Sequence, residues 1–357
     1  MTDPRTIYRG NLRHLLTDMI FLVISAVICG ADDWYKIELF GKSQISWLRK
    51  FVPFAKGIPS HDTLGRVFSA IDYQEFGKYF VEWGNTMSEL TDGEVVAIDG
   101  KRIRGSYDTN SGLNAIHMVS AFATENRICL GQVSCQDKSN EITAIPKLLE
   151  LLAIKGCTVT IDAMGCQTAI AEKIRDKGAD YILAVKENQK ELYEQVEKVF
   201  GITKPASVDI DLDSGHGRIE TRKCTVIDDL KFLDIEDKWK GLKTVIKIES
   251  ERFIKSESKT QNEIRYYISN LPANAKSMNY KIRSHWAIEN NLHWNLDVVF
   301  SEDSSRKRKG DSAKNFNIIS KIALTFISKE ETEKMSKNSK RFQAALDTEF
   351  REKILGI

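Results

Sequence analysis

Between about residue 94 and residue 185, apolar runs alternate in an order that few folds accommodate. Strand-like runs lie at 94–99, 115–124 and 127–135, the last two joined by a short Glu125-Asn126 turn. A helical stretch follows from Glu141 to about Lys155, carrying Leu148, Leu149, Leu151 and Leu152; then come a strand at 157–162, a helix at 167–177 and a strand at 180–185. The order β-β-β-α-β-α-β is an antiparallel meander feeding parallel crossover units, which predicts a mixed α/β sheet with helices on its faces. Acids stand at two strand ends. Asp99 closes Val95-Val96-Ala97-Ile98 and precedes Gly100; Asp162 closes Thr158-Val159-Thr160-Ile161 and precedes Ala163-Met164-Gly165. An acid directly after a buried strand sits at the carboxyl edge of a sheet, where ligands and ions are received. A strand-end Asp before Gly is also a common turn or capping residue.

A third acid, Glu289, lies far downstream in the tryptophan-flanked run HWAIENNLHWNLDVVFSED, residues 285–303, which reads as a helix. Three acids gathered by folding supply the hard oxygen ligands that Mg²⁺ prefers. Asp297, Glu302 and Asp303 are rivals for the third place. Asp297 lies two turns beyond Glu289 on a straight helix, too far to share an ion. A competing reading takes His285, Glu289 and His293, spaced every four residues on one helix face, as an H-x₃-E-x₃-H zinc site. Trp286 and Trp294 read as core packing in preference to base stacking.

Residues 1–92 read as a self-contained helical domain. Arg9 to Cys29 carries a 3.6-residue apolar pattern, and Trp34 to Phe54 continues it. Met19 to Cys29 is strongly apolar but too short to cross a bilayer, and it lacks the cationic start of a signal peptide, so it reads as a buried helix. Ser60 is the expected N-cap of a short amphipathic helix through Ile71, which is either a packing helix or a DNA-reading element, with His61, Asp62 and Arg66 as candidates. After a helix at 188–200, strand-like stretches at 206–212, 217–227, 242–252 and 263–269 form a mainly β insertion, residues 188–272. Residues 93–187 and 273–328 make the core that this insertion interrupts. The charged stretch from Lys329 to Lys340 reads as exposed, and 329–357 as a charged C-terminal tail. The core order is that of the ribonuclease-H-like fold, with a first acid on strand one, a second after strand four and a third on a later helix.

The formal charge is only +2 for 357 residues, so affinity for nucleic acid has to come from local patches. Such patches flank the acids. Lys101, Arg102 and Arg104 follow the first, and Arg306-Lys307-Arg308-Lys309 follow the third. Phosphate contact is the functional reading of each run; solvated surface charge is the alternative. Arg218 and His216 in the β insertion are further candidates. The six cysteines show no C-x-x-C spacing and read as reduced thiols of a cytosolic chain.

Several blocks together resemble one family. GIPSHDTLGRVF (57–68), VVAIDGKRIRGS (95–106), KSNEITAIPKLL (138–149), VTIDAMGCQ (159–167), GHGRIETR (215–222), RYYISNLPANA (265–275) and HWAIENNLHWNLDVVFSEDSSR (285–306) run in order over about residues 10 to 325. In this the chain resembles DDE-type insertion-sequence transposases of the H-repeat-associated group. The resemblance implies a ribonuclease-H-like catalytic core with a β-rich insertion and a helical N-terminal domain. It also implies cleavage and joining of DNA at element ends by two-metal-ion chemistry, with Mg²⁺ as cofactor and Mn²⁺ as a substitute. Asp99 would bridge both ions, with Asp162 and Glu289 each on one. The implied partners are element-end and target DNA and a second copy of the chain; the implied location is the cytoplasm, at the nucleoid. Related transposases carry Tyr, Arg and Lys partners around the third acid. Here those places hold Ile282, His285 and Leu296; His285 remains a candidate phosphate contact, and Arg283 substitutes for the arginine only if the helix bends. Two further readings stay open: a domesticated DNA-binding protein that no longer cuts, and a Mg²⁺-dependent nuclease that cuts without joining.

Overall fold

The computed structural model describes residues 1–5, 12–107, 112, 114–135, 140–215, 217–234 and 236–357. His216, the start of the block 138–149 and the first residues of the Arg9–Cys29 pattern fall outside them. The N-terminal helices are α1 (Leu16–Ile28), α2 (Trp34–Ser43), α3 (Ile45–Leu48), α4 (His61–Ala70) and α5 (Tyr73–Met87). Ser60 caps α4 as its sequence predicts, its hydroxyl accepting the Thr63 N–H at 3.3 Å.

The sheet begins with the meander β1 (Val95–Arg102), β2 (His117–Ala123) and β3 (Ile128–Cys135). It continues through α6 (Glu141–Leu151), β4 (Thr158–Ile161), α7 (Thr168–Asp176) and β5 (Asp180–Val185). After α8 (Lys190–Ile202) come β6 (Ser207–Gly215), β7 (Arg218–Ile227), β8 (Thr244–Ile254) and β9 (Lys259–Ser269). These nine strands form one sheet in the order β3-β2-β1-β4-β5-β9-β8-β7-β6. The mixed α/β architecture with the ribonuclease-H-like core order is therefore present, and the later strands extend it: β9 pairs antiparallel with β5, so the stretch 207–269 lengthens the core sheet.

Alternate residues of β1 send their side chains to two different cores, and β4 shares the first. Val96, Ile98, Val159 and Ile161 pack with α6, α7 and α8 residues such as Leu148, Ile174 and Val196. Ala97 joins the opposite core, which contains the N-terminal helices and the C-terminal segments. Asp99 follows Ala97 by two positions, so it projects on this second face.

The C-terminal elements are α9 (Ala275–Ser284), α10 (Trp294–Val298), α11 (Ser312–Lys329), α12 (Lys337–Leu346) and α13 (Thr348–Leu355). Two expectations change here. The N-terminal helices are not self-contained, because Met19, Leu22, Val27 and Phe68 share one buried cluster with Ile288, Leu292, Phe316, Ile319, Phe350 and Ile354. Nor is the whole of 329–357 an exposed tail. Most of Lys329–Lys340 is exposed as expected, but Glu330 and Lys340 are buried and paired at 3.1 Å, and Arg351, 1% exposed, lies over the Trp47 ring. The buried charges of this segment are those that find a partner. Among the described residues no helix is long and apolar enough to cross a membrane, and Cys29, Cys129, Cys157, Cys166 and Cys224 are free thiols.

Candidate active site

The geometry starts from the register of β1 and β4. These strands pair in parallel from Val95↔Thr158 to Ile98↔Ile161. Asp99 and Asp162 are thus the next residues on neighbouring strands, roughly one inter-strand spacing of about 5 Å apart along the sheet edge. β4 ends there, whereas β1 runs on to Arg102 against β2. Asp99 is therefore not a turn residue; it stands where its parallel partner stops and a cleft opens. Gly100 points to the opposite face. A Cβ there would overlap the carboxylate of Glu141 and the ring of His117, a buried pair joined at 2.5 Å, which explains the Asp-Gly sequence. Asp162 accepts the Met164 N–H at 3.1 Å and the Gly165 N–H at 3.4 Å, so the turn after β4 orients its carboxylate.

The third acid sits on a distorted segment. Residues Ile288–His293 are π-helical, not α-helical, between α9 and α10. Asn295, 3% exposed, donates to the carbonyls of Asn290 at 3.1 Å and Asn291 at 2.9 Å, so its side chain is tied to the wide turn. Ile288, Leu292 and Leu296 anchor the buried side. This leaves Glu289 and His293 facing β1.

His293 Nδ1 lies 3.6 Å from Asp99 Oδ2 and 3.5 Å from Glu289 Oε2. The three side chains offer ligand atoms within 4.8 Å of one another, a group that does not include Asp162. Nε2 of His293 is buried with no hydrogen-bond partner among the described residues. Burial pushes the Asp99 carboxyl up to about 6; His293 and the Gly100 N–H oppose the rise, and the charges of Asp162 and Glu289 add to it. Glu289, half exposed, is held below the usual range chiefly by its hydrogen bond to His293. Burial pushes His285 down, against the pull of Asp162; its Nδ1 lies 3.0 Å from Thr160 Oγ1.

Asp99, Asp162, His285, Trp286 and Glu289 line one cleft of about 680 Å³, and Arg265 and Lys186 also belong to its lining. The H-x₃-E-x₃-H reading is not formed, since His285 turns to Thr160 and lies outside the group around His293. The tryptophans are not core residues: Trp286 is 44% and Trp294 56% exposed, and the Arg265 guanidinium lies 5.3 Å from the Trp286 ring. Leucine and isoleucine side chains fill the core side of this segment, which leaves its rings to solvent. Arg283 does not replace the missing arginine; it pairs with Asp213 at 2.6 Å and Asp211 at 3.6 Å on β6.

The cations divide into two kinds. Lys101, expected to contact DNA, is instead enclosed: its ammonium pairs with Asp297 and, at 2.5 Å, with Glu302, which also accepts from Asn317. That pairing accounts for two of the rival acids, and Asp303 faces Arg104 at 3.4 Å. Lys307 is also removed from the expected DNA contacts. It is 8% exposed, donates to the Asp32 carbonyl at 2.6 Å and lies 3.6 Å from the Phe316 ring centroid, with its pKa pushed down to about 8 by burial. Arg102, Arg104, Arg218 and Arg306 are exposed and Arg308 is half-buried; none of them lines the acid cleft. His293 is the residue that a reading of three acids alone overlooked. Its signal was the four-residue spacing from Glu289.

Comparison with known proteins identifies the family. The "DDE_Tnp_1-associated" family matches residues 1–84, and the "Transposase DDE domain" family matches residues 90–326. The chain belongs to the DDE-domain transposase family. It is 46% identical over 353 residues to "Putative transposase YncI" of Escherichia coli O157:H7, covering 97% of this chain and 90% of that protein. It is 40% identical over 354 residues to "H repeat-associated putative transposase YhhI" of Escherichia coli strain K12, covering 97% and 93%. The cryo-EM structure of the piggyBac transposase synaptic complex with hairpin DNA aligns with a TM-score of 0.44 and 11% identity, over 99% of this chain and 77% of that one.

Proposed function

We propose that this protein is an active transposase that cuts DNA at insertion-sequence ends and joins it to a target, using Asp99, Asp162 and Glu289 as metal-holding acids. The observation that carries this reading is the meeting of all three in one cleft, with Asp99 and Glu289 within 4.8 Å of a buried histidine. The donor set fits a divalent cation. Ligand atoms that share an ion with bonds near 2.1 Å sit roughly 3 Å apart when adjacent, and His293 is already 3.5–3.6 Å from both carboxylates. Asp99, Glu289 and His293 would hold one ion, and Asp162 with Asp99 a second. The imidazole tilts the first position toward Mn²⁺ over Mg²⁺. Bound divalent cations supply a deprotonated water or 3′-OH and neutralise the leaving oxygen.

The protein's own part is placement. The β1–β4 edge sets the spacing of two carboxylates, and the π-turn sets the third against them. His285 and Lys186 line the same cleft and offer hydrogen bonds to a bound phosphate. Trp286, exposed at the rim and paired with Arg265, offers a stacking face for an unpaired base. Paired element ends call for two protomers on the DNA.

The test is to incubate purified protein with Mn²⁺ or Mg²⁺ and a labelled duplex carrying the DNA that flanks the coding region. Cuts at the ends followed by joined products are expected, with Asp162→Asn and Glu289→Gln abolishing both while binding persists. Binding without cuts would overturn the reading in favour of a non-cutting DNA-binding protein, and cuts without joining in favour of a nuclease.

A further inference from the structure

A second groove, of about 700 Å³, lies between α4 and the loop 306–310 and shares no lining residue with the acid cleft. Its walls come from positions far apart in the chain: His61, Arg66 and Asp62 from α4; Arg306, Arg308 and Lys309 from the loop. Neither wall is free to drift. Gly310, at φ +53°, has no room for a Cβ against the Ser69 carbonyl, and that carbonyl accepts the Asp311 N–H at 3.1 Å. Asn315 donates to the carbonyls of Phe68 and Ile71, both at 2.9 Å, which closes the end of α4. Lys307 forms the floor, buried between the Trp34 and Phe316 rings.

The charges left over are unbalanced. Arg66, Arg306 and Lys309 are exposed and Arg308 half-buried. Arg66 reaches Thr63 Oγ1 at 3.3 Å; Arg308 donates to the Gly105 carbonyl at 3.2 Å and lies 4.6 Å from the Tyr107 ring centroid. Among the described residues none of the four has an acidic partner, whereas Lys101 and Arg341, in the same part of the molecule, are both paired with acids. Asp62 is the single acid in the lining, and His61 is held by Glu38 at 2.6 Å. At the middle of the α4 wall the Trp34 indole packs on Gly65, 3.4 Å from where a Cβ would stand, so the ring and not a flexible side chain lines the groove there.

We infer that this groove binds the sugar-phosphate backbone of duplex DNA, as a second contact separate from the acid cleft. The inference rests on the transposase reading for its choice of ligand and on the unbalanced, rigidly set cations for its place. Four cations on two walls of one concavity match a phosphate row on one strand better than a small anion, which would need only one or two of them. The groove would hold DNA beside the stretch being cut, and the loop 301–310 would tie its occupancy to the segment bearing Glu289.

The experiment measures binding of the full chain to a fluorescent duplex of random sequence, about 30 base pairs long, across a salt series. Each phosphate contact contributes about 0.9 to the slope of log K against log salt. Arg66→Ala/Arg306→Ala/Lys309→Ala is expected to lower that slope by about 2 to 3 and to weaken binding at least tenfold at moderate salt. Arg66→Lys/Arg306→Lys should retain most of both, and Mn²⁺ binding at the acid cleft should be unchanged in every variant, which verifies the fold. A triple variant with the wild-type slope and affinity overturns the groove and leaves the transposase reading standing. Tighter binding of an RNA hairpin than of the duplex, lost in the same variant, also overturns it. A groove that binds duplex in a protein that neither cuts nor joins sinks the transposase reading alone.

Discussion

Asp99 is the acid whose ionisation the fold opposes, and replacing it with asparagine isolates that cost. Burial is the main cause of its rise from 3.8 to about 6, with Asp162 and Glu289 adding repulsion. An acid with a folded pKa above its unfolded one holds its proton more tightly in the folded state, so stability falls as pH rises from about 4 through 6. The two-unit gap is worth about 3 kcal/mol at pH 7 and about half a kcal/mol at pH 4. An asparagine side chain carries no such penalty, and its amide oxygen can still accept the Gly100 N–H that Asp99 Oδ1 accepts at 2.8 Å. In urea titrations with chelator present, Asp99→Asn should be about 2–3 kcal/mol more stable than the native chain at pH 7, with the gap closing as pH falls toward 4. Mn²⁺ should raise the native midpoint and leave the variant where it was. A variant no more stable than the native chain at pH 7 would refute the reasoning, because it would mean the carboxylate is comfortable in the empty cleft.

Two further substitutions probe the supports of the site. Lys101→Met leaves Glu302, 8% exposed, beside Asp297 without a shared cation; stability should drop by about 3 kcal/mol, with no change in the salt slope of DNA binding. A changed slope would return Lys101 to the DNA contacts. Gly100→Ala forces a Cβ into the His117–Glu141 pair; a loss of about 2–4 kcal/mol by urea denaturation is expected, and a loss below about 0.5 kcal/mol would show that the pair yields easily.

How much was legible depended on range. The runs 94–99 and 180–185 read directly as strands because their apolar character comes from short-range β-branched content, and both are strands in the sheet. The insertion strands were legible one by one, but their joining to β5 through β9 was not, since pairing between residues such as Leu183 and Ile268 leaves no local mark. Glu289 was legible as a conspicuous acid; the π-turn that aims it was not, because no local propensity in Ile288–His293 marks where a helix widens. Exposure misled in both directions. Lys307, in a basic run, is buried because aromatic rings and a carbonyl receive it, whereas Trp286 and Trp294 are exposed because Ile288, Leu292 and Leu296 occupy the inner side.

Local chemistry along the chain settles the strands, the caps and the residue types available for holding a cation, because those follow from each residue's own propensity and its near neighbours. Only the tertiary structure decides which charges are spent on one another and which face outward. That choice turns on contacts between segments some 200 residues apart, as in the pairing of Lys101 with Glu302, where the free energy of desolvation outweighs anything the flanking residues can signal.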